Sequence, residues 1–306
     1  MEHSRSQHED RYLVKYLQEE NALEVWSEKR LPFEPQEWLV DLRAEIRTAL
    51  RDLKCGPHQL LHAIYGARNI EFCDIENILL YNVGGGHFAS LARYGIRLER
   101  SFTYPNPPEF MLTQKPHYHH YTAADTDTGF INWRVGQILA QWDNVVIPQL
   151  SSSTKIPSIW YPISTNSMKV IHNPKEEPKH FGLKVIISAQ ANKAINIANL
   201  VKPLLDGIIS SFHAHNRENI EILGQRIGVS LGQNPDDIAK LLCRKDRAIL
   251  GQRQLVWLRK SGVQWNPSDD CCLAFEVVVQ THKDKDWLIS GSLFEIDYMD
   301  KSFMLD

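Results

Sequence analysis

The sequence predicts an α/β fold in which helices pack on a mixed sheet, with a helical N-terminal region and an α/β C-terminal half. Gly182–Gln190 is rich in β-branched residues and predicts a strand. Asn196–Phe212 repeats apolar residues at helical spacing and predicts an amphipathic helix. Leu273–Gln280 predicts a further strand. Strand, helix and strand in this order are typical of an α/β unit.

Composition sets the class of protein. The 306-residue chain has a net charge of −3 and suits one large or two medium domains. It has no apolar run long enough to span a membrane, and its N-terminus lacks an apolar signal core. The five cysteines show no C-x-x-C spacing, which is typical of a reduced, cytoplasmic protein. The negative charge argues against a broad nucleic-acid surface, although an acidic metal site could mask a local basic groove.

The N-terminal region, Asp10–Leu53, predicts two helices. Its apolar residues recur at helical spacing, more regularly in the second part. Leu31–Gln36 separates the two helices, because Pro35 suits the first position of a helix and biases Glu34 away from one. We interpret this region as a helical cap.

A glycine-rich turn follows the apolar run Ile78–Val83, which predicts a buried strand. The turn consists of Gly84, Gly85 and Gly86. Glycines before a helix can cradle a phosphate, so the turn is a candidate nucleotide site. Its spacing matches neither the dinucleotide fingerprint nor the P-loop, and a tight structural turn is the other interpretation.

Histidines alternate along a predicted strand at His117–Tyr121. His117 and His119 share one face of that strand, with Asp125 and Asp127 close in sequence. Two imidazoles with nearby carboxylates could hold a divalent metal. Packing and hydrogen bonding on a strand face are the alternative role for both histidines.

A linker is predicted near the middle of the chain. Ser151–Lys155 is polar, and Pro157 follows it closely. We therefore place a boundary between Leu150 and Met168, with a helical and mixed domain in 1–150 and an α/β domain in 151–306.

Three further helices are predicted around this boundary. Gly129–Trp142 carries an apolar stripe at helical spacing. Glu218–Gly228 and Pro235–Cys243 lie between the Asn196–Phe212 helix and the last predicted strands, and Asn234 has the sequence context of an N-cap.

A polar row crosses the Asn196–Phe212 helix opposite its apolar side. Asn199, Lys202 and Asp206 fall in one narrow sector of the helix surface. Pro203 would disturb a helix that begins at Asn196, so the helix either begins near Val201 or is kinked. An exposed ion pair between Lys202 and Asp206 is the simplest structural role for the row.

Two aspartates, Asp269 and Asp270, precede the strand Leu273–Gln280. They could form a polar turn. Alternatively, Asp206, Asp269 and Asp270 could bind Mg²⁺ while Lys202 stabilises charge on a phosphate, which is the chemistry of a metal-dependent nuclease.

These residues resemble the core of the RusA-like Holliday-junction resolvases. In that family a strand leads to a helix beginning D-x-D-N-L-x-K-x-x-x-D-A-L, and an acidic pair follows on a loop before a later strand. Asn199, Leu200, Lys202 and Asp206 match the helix, and Val263–Asp270 is similar to the second acidic element. The resemblance covers at most residues 169–280.

The resemblance implies a Mg²⁺-dependent, structure-specific endonuclease that acts on branched or structured DNA or RNA as a dimer. It implies that Asn199 orders the loop, Lys202 contacts phosphate, and Asp206, Asp269 and Asp270 hold the metal. Asn196 and Ala198 stand where the family has its two metal-binding carboxylates.

The missing carboxylate spacing occurs elsewhere in the chain. Asp74-x-Glu76-Asn77 has the D-x-E-N spacing that the helix at Asn196 lacks. This predicts a duplication in which one half keeps the carboxylates Asp74 and Glu76, and the other keeps Lys202.

Three functions stay open from the sequence. The first is recognition of nucleic acid with Mg²⁺-dependent phosphodiester cleavage. The second is a non-catalytic interaction protein that retains the fold. The third is a nucleotide-binding enzyme that uses the turn Gly84–Gly86.

Overall fold

The computed structural model describes residues 11–68, 74–111, 115–166, 169–172, 174, 176–190, 195–283 and 285–299. A mixed sheet of ten strands runs through the chain, and helices pack on it. The α/β prediction is therefore confirmed. None of the helices in these ranges is both long enough and apolar enough to cross a membrane.

The first half of the chain contributes five strands and one longer helix. These elements are β1 (Tyr12–Leu17), β2 (Ala22–Ser27), α1 (Trp38–Ala49), β3 (Gln59–Gly66), β4 (Gly95–Ser101) and β5 (His117–Asp125). A π-helical turn, Asn77–Tyr81, lies between β3 and β4.

The second half contributes the remaining strands of the sheet and a smaller inserted unit. Its elements are β6 (Trp133–Ile147), α2 (Ile156–Thr165), β7 (Lys169–Val170), β8 (Phe181–Gln190), α3 (Val201–Ser210), β9 (Ala214–His215), α4 (Ile220–Leu231), α5 (Pro235–Leu242), β10 (Gln252–Arg253), β11 (Val256–Arg259), β12 (Gly262–Trp265), β13 (Cys272–His282) and β14 (Trp287–Tyr298). The insertion comprises α4, α5 and the short strands β9 to β12.

The two halves repeat one topology. The sheet order is β1-β2-β5-β3-β4-β13-β8-β14-β6-β7, so β2-β5-β3-β4 in the first half mirrors β6-β14-β8-β13 in the second. In both halves the inner pair is parallel, β3 with β4 and β8 with β13. The other pairs in each half are antiparallel. Apart from β1, β7 and the insertion, each half has the same order of elements. This order is a strand, a helix, a strand, a helical segment and two further strands.

The register of the strands supports this repeat. Aligning the D-x-E-N segment at Asp74 with the segment at Asn196, as the predicted duplication requires, makes Leu61 equivalent to Leu183. Leu61 pairs with Ile96, and Leu183 pairs with Phe275. Ile96 and Phe275 are therefore equivalent as well.

A pseudo-two-fold axis follows from this equivalence. One residue further along the two strands, Arg97 must be equivalent to Glu276. A residue on a two-fold axis pairs with its own equivalent, and Arg97 does pair with Glu276 where β4 meets β13. The axis therefore passes between the two halves at the centre of the sheet.

The prediction of a helical N-terminal region is only partly correct. Its second helix is present as α1, but its first part forms the hairpin of β1 and β2. Asn21 takes a positive φ of 46° in the connecting turn, and the segment Tyr12–Leu17 is rich in residues that favour strands. Cross-strand pairing in the sheet outweighed the helical spacing.

Two other predicted elements also differ from the structure. Gly129–Trp142 was expected to be a helix, but most of it lies in β6, which pairs with β14. Ile78–Val83 was expected to be a strand and instead belongs to the π-helical turn and the residues after it. Short apolar runs do not by themselves distinguish a strand from a buried helix.

The expected domain boundary falls inside the common sheet. Strands from before and after Leu150–Met168 pair with one another, and the expected linker largely forms α2. The repeat instead divides at residues 126–132, between β5 and β6.

Helix α3 packs tightly against the second half. Its apolar side is fully buried, and Gly207 faces α2 so closely that a Cβ there would lie 2.7 Å from the Cβ of Ile159. This close approach fixes the position of the α3 N-terminus, which leads to the candidate site.

Candidate metal centre between the two halves

The ammonium of Lys202 lies among four carboxylates. Its Nζ is 2.9 Å from Glu76 Oε1, 3.0 Å from Asp269 Oδ2, 3.4 Å from Asp74 Oδ2 and 3.5 Å from Asp206 Oδ1. Asp74 and Glu76 come from the first half of the chain, and the other three residues come from the second. The structure therefore brings Asp74 and Glu76 of the D-x-E segment together with Lys202 and Asp269.

The first-half carboxylates are presented by the start of the π-helical turn. Asn77 Nδ2 donates a hydrogen bond of 2.5 Å to Asp74 Oδ2. The Tyr81 hydroxyl donates to the carbonyl of Asn199 at 3.1 Å and accepts from the backbone N–H of Lys202 at 3.2 Å. Single π-turns within helical segments are frequent at functional sites. Here the turn ties the carboxylates to the beginning of α3.

The second-half lysine and Asp206 are presented by α3. The α-helix begins at Val201 after a short 3-10 turn, so Pro203 stands in the first turn, where its missing N–H costs no hydrogen bond. This confirms the prediction of a start near Val201. Lys202 and Asp206 are one turn apart, but Asp206 is buried rather than exposed.

Asp269 is presented by a 3-10 turn, Asp269–Cys271, that His213 supports. His213 Nε2 lies 2.8 Å from Ser268 Oγ, and its Nδ1 lies 3.3 Å from the carbonyl of Gly251. Because a carbonyl only accepts, Nδ1 carries the proton and Nε2 accepts from the Ser268 hydroxyl. Burial lowers the pKa of His213 to about 4, so the ring is neutral at neutral pH.

Burial dominates the electrostatics of the carboxylates. It raises the pKa of Glu76 to about 7, although the charge of Lys202 opposes the shift. Burial also raises the pKa of Asp74 and of Asp206. For Lys202 burial acts to lower the pKa, but the surrounding carboxylates outweigh it and the net shift is upward. The ammonium is therefore charged, and four carboxyl groups share this one counter-charge.

Three of these carboxylates are placed to hold a metal ion. Asp74, Glu76 and Asp269 each offer one oxygen, and these oxygens lie within 4.8 Å of one another. Glu76 is fully buried, and its Oε2 has no hydrogen-bond partner among the described residues. A buried acceptor without a donor is costly, and a cation bound at this position would remove that cost. Carboxylate oxygens are the ligands that Mg²⁺ prefers.

Asp206, also predicted as a metal ligand, contacts Lys202 but is not one of these three carboxylates, and the remaining predicted ligands lie outside the cluster. Asp270 has no ion pair with Lys202 in the described residues, and its charge acts on His180 and on the Cys271 thiol. His117 Nδ1 is hydrogen-bonded to the Tyr65 hydroxyl at 2.7 Å. His119 is fully buried, which lowers its pKa to about 3. In the part of the chain that the structure describes, neither histidine belongs to a group of three possible ligands.

The glycine turn is packed behind the site. Gly85 is buried against the backbone of Ala198 and the side chain of Asn199, and Gly84 adopts a φ of 118° beside Arg47. The turn does not line the groove described below. A nucleotide site on Gly84, Gly85 and Gly86 stays a prediction that no contact in the structure favours.

A groove of about 910 Å³ opens beside the cluster. Lys202 and Asp206 line it, and its wall combines cationic and apolar side chains. Its lining includes Lys155, Ile156, Arg226, Val229, Val263 and Trp265. Its size falls in the range of pockets that take small ligands. Of the clustered residues, Lys202 and Asp206 therefore face the groove, whereas Asp74, Glu76 and Asp269 do not line it.

Comparison with protein-family models, with curated proteins and with solved structures found no match. The role of the site therefore has to be inferred from its chemistry.

Three supporting residues, Tyr81, His213 and Ser268, were not foreseen from the sequence. Tyr81 lies in an apolar run that predicted a strand, so its hydroxyl gave no signal. His213 and Ser268 are distant in sequence, and a lone histidine beside a helix is more often a packing residue than a functional one. The spacing of Asp74 and Glu76, by contrast, was a usable signal.

Proposed function

We propose that this protein hydrolyses phosphodiester bonds of nucleic acid with Mg²⁺ at Asp74, Glu76 and Asp269. The observation that carries the proposal is the convergence of three carboxylates on Lys202, which also lines the neighbouring groove. The resemblance of the Asn199–Asp206 segment to a resolvase helix supports the same chemistry.

Each group has a separate task in this proposal. Bound Mg²⁺ would neutralise the developing charge on phosphate and activate water. Asp74, Glu76 and Asp269 would hold the ion. Asp206 pairs with the ammonium of Lys202, whose one-third exposed side chain lines the groove and can meet a phosphate oxygen.

Charge favours a substrate contact in the groove over one on a broad surface. The chain has a net charge of −3, which disfavours extended binding along a phosphate backbone. Lys155 and Arg226 both line the groove, together with apolar side chains. A short stretch of backbone near Lys202 therefore fits better than a long duplex track.

Metal titration tests the proposal directly. We expect Mn²⁺ or Mg²⁺ to bind, and labelled single strands, duplexes or four-way junctions to be cleaved only with metal present. Asp269→Asn should abolish both binding and cleavage, because it removes a ligand, whereas the adjacent Asp270→Asn should preserve both. Nucleic-acid binding without cleavage in the unmodified protein would instead support a non-catalytic interaction protein. Metal binding that survives Asp269→Asn would refute the site.

A further inference from the structure

The candidate site is asymmetric although the fold repeats. The first half supplies Asp74 and Glu76, while the second half supplies Lys202, Asp206 and Asp269. Neither half contains a complete set. The pseudo-two-fold axis nevertheless requires a second position, related to the first by exchange of the two halves.

The second position has lost its charged groups. By the equivalence of Leu61 with Leu183, the residues that correspond to Asp74 and Glu76 are Asn196 and Ala198. The residues that correspond to Lys202 and Asp206 are Leu80 and Gly84. The segment that precedes β4, residues 82–94, contains no Asp or Glu to match Asp269. This position therefore offers neither carboxylate ligands nor an ammonium.

The groove is asymmetric as well. Apart from Tyr81, all the residues that line it come from the second half of the chain. The insertion after α3 builds much of its wall through α4 and the hairpin of β11 and β12, and the first half has no counterpart of that insertion. A substrate in this groove therefore meets the cluster at Lys202 and Asp206.

We infer that this chain is a fused pseudo-dimer with one composite centre, and that it cuts one nucleic-acid strand per binding event. This inference rests on the proposed function and specifies its substrate: a single extended strand, held in the groove with one phosphate at Lys202. Val229 is exposed and Val263 is partly exposed, and together they give unpaired bases an apolar surface in the groove. Paired cuts in two opposite strands would require two chains.

A strand-counting assay tests the inference. A four-way junction carries a different dye on each of two opposite strands, and an unpaired strand of the same sequence is the comparison substrate. The protein is kept at a lower concentration than the junction. Under this condition we expect each bound chain to cut one dye-labelled strand, so that cuts in the two strands are statistically independent. We also expect the unpaired strand to be cut at least as fast as the junction. Correlated cutting of both strands by one bound chain would overturn the inference.

A mixing experiment tests whether the centre lies within one chain. Asp74→Asn removes a group of the first half, and Lys202→Met removes a group of the second. We expect each variant to lose at least about a hundredfold in cleavage rate. A mixture of the two, refolded together, should stay inactive, because no single chain contains an intact site. Recovery of activity in the mixture would show that the centre forms between chains.

Metal binding can be measured independently of cleavage. Asp74→Asn and Asp269→Asn should each remove the same class of bound Mn²⁺, and Asp143→Asn, an exposed carboxylate on β6, should remove none. If Asp74→Asn and Asp269→Asn each removed a different bound metal ion, the inference of one composite centre would be overturned. The proposal that the protein binds metal would still stand. If the unmodified protein neither binds metal nor cuts nucleic acid, the proposed function fails and the inference fails with it.

Discussion

The carboxylate of Glu76 lies in an environment that disfavours its charged form. It is fully buried, and one of its oxygens has no partner among the described residues. Burial raises its pKa from 4.5 to about 7 even though Lys202 is 2.9 Å away. Strong pKa shifts cluster at functional sites, and here the shift coincides with three convergent carboxylates.

The raised pKa predicts how stability depends on pH. Between the unfolded pKa of 4.5 and the folded value of about 7, the native state binds more protons than the unfolded state. The free energy of unfolding therefore falls as pH rises through this window, by roughly 3 kcal/mol for a shift of this size. Glu76→Gln should remove this loss, so the metal-free variant should be more stable than the unmodified protein at pH 8 and similar to it near pH 4.5.

Urea denaturation at the two pH values measures this difference. Asp143→Asn changes an exposed carboxylate and should alter the free energy of unfolding by no more than about 0.5 kcal/mol at either pH. A Glu76→Gln variant that is less stable than the unmodified protein at pH 8 would show that the ion pair with Lys202 outweighs burial.

At the scale of single elements, the turn Asp269–Cys271 depends on a buried histidine. The Ser268 hydroxyl, immediately before the turn, donates to His213, which is itself fixed by the Gly251 carbonyl. Groups that orient metal ligands affect metal affinity without touching the ion. His213 is therefore a positioning residue for Asp269.

Removing the hydroxyl should weaken metal binding without removing a ligand. Ser268→Ala is expected to lower Mn²⁺ affinity about tenfold, as loss of an outer-shell hydrogen bond typically does. Calorimetric titration measures the change. Ser153→Ala is the matched control, because Ser153 makes an exposed hydroxyl contact of 2.8 Å with Ser151, away from the site. Equal affinities in the two variants would show that the turn holds Asp269 without His213.

Local sequence signals predicted some elements well. Asn234 caps α5 as expected, accepting from the N–H groups of Asp236 and Asp237. Pro203 placed the start of α3 correctly, because a proline is compatible only with the first turn. These signals act within a few residues, so the sequence alone was sufficient.

Long-range pairing explains what the sequence did not predict. The segments that form β1 and β6 carry apolar residues at spacings that also suit a helix, and their partners in the sheet decide the outcome. Asp269 and Asp270 are adjacent and chemically alike. Only the turn that His213 supports directs one of them, Asp269, towards Lys202.

At the scale of the whole molecule, the two halves meet at a buried ion pair. Arg97 Nε lies 2.6 Å from Glu276 Oε2, and the guanidinium also donates to Thr128 Oγ1 at 2.9 Å and contacts the ring of Phe130. Arg97 is completely buried. This pair lies on the pseudo-two-fold axis, where each half supplies one charge to the common sheet.

This pair predicts a cooperative response to mutation. Glu276→Ala leaves a buried guanidinium without its counter-ion and should lower the free energy of unfolding by about 3–5 kcal/mol. Replacing both partners, Arg97→Met with Glu276→Leu, should recover most of that loss, because buried ion pairs are often replaceable by well-packed apolar groups. Asp246→Ala, which breaks the exposed pair with Arg244, should lower the free energy of unfolding by less than about 1 kcal/mol.

Urea titration followed by circular dichroism and by tryptophan fluorescence should give coincident transitions for each variant, because strands of both halves share one sheet. Two separate transitions in Glu276→Ala would mean that each half folds independently and that the central strands contribute little to their association.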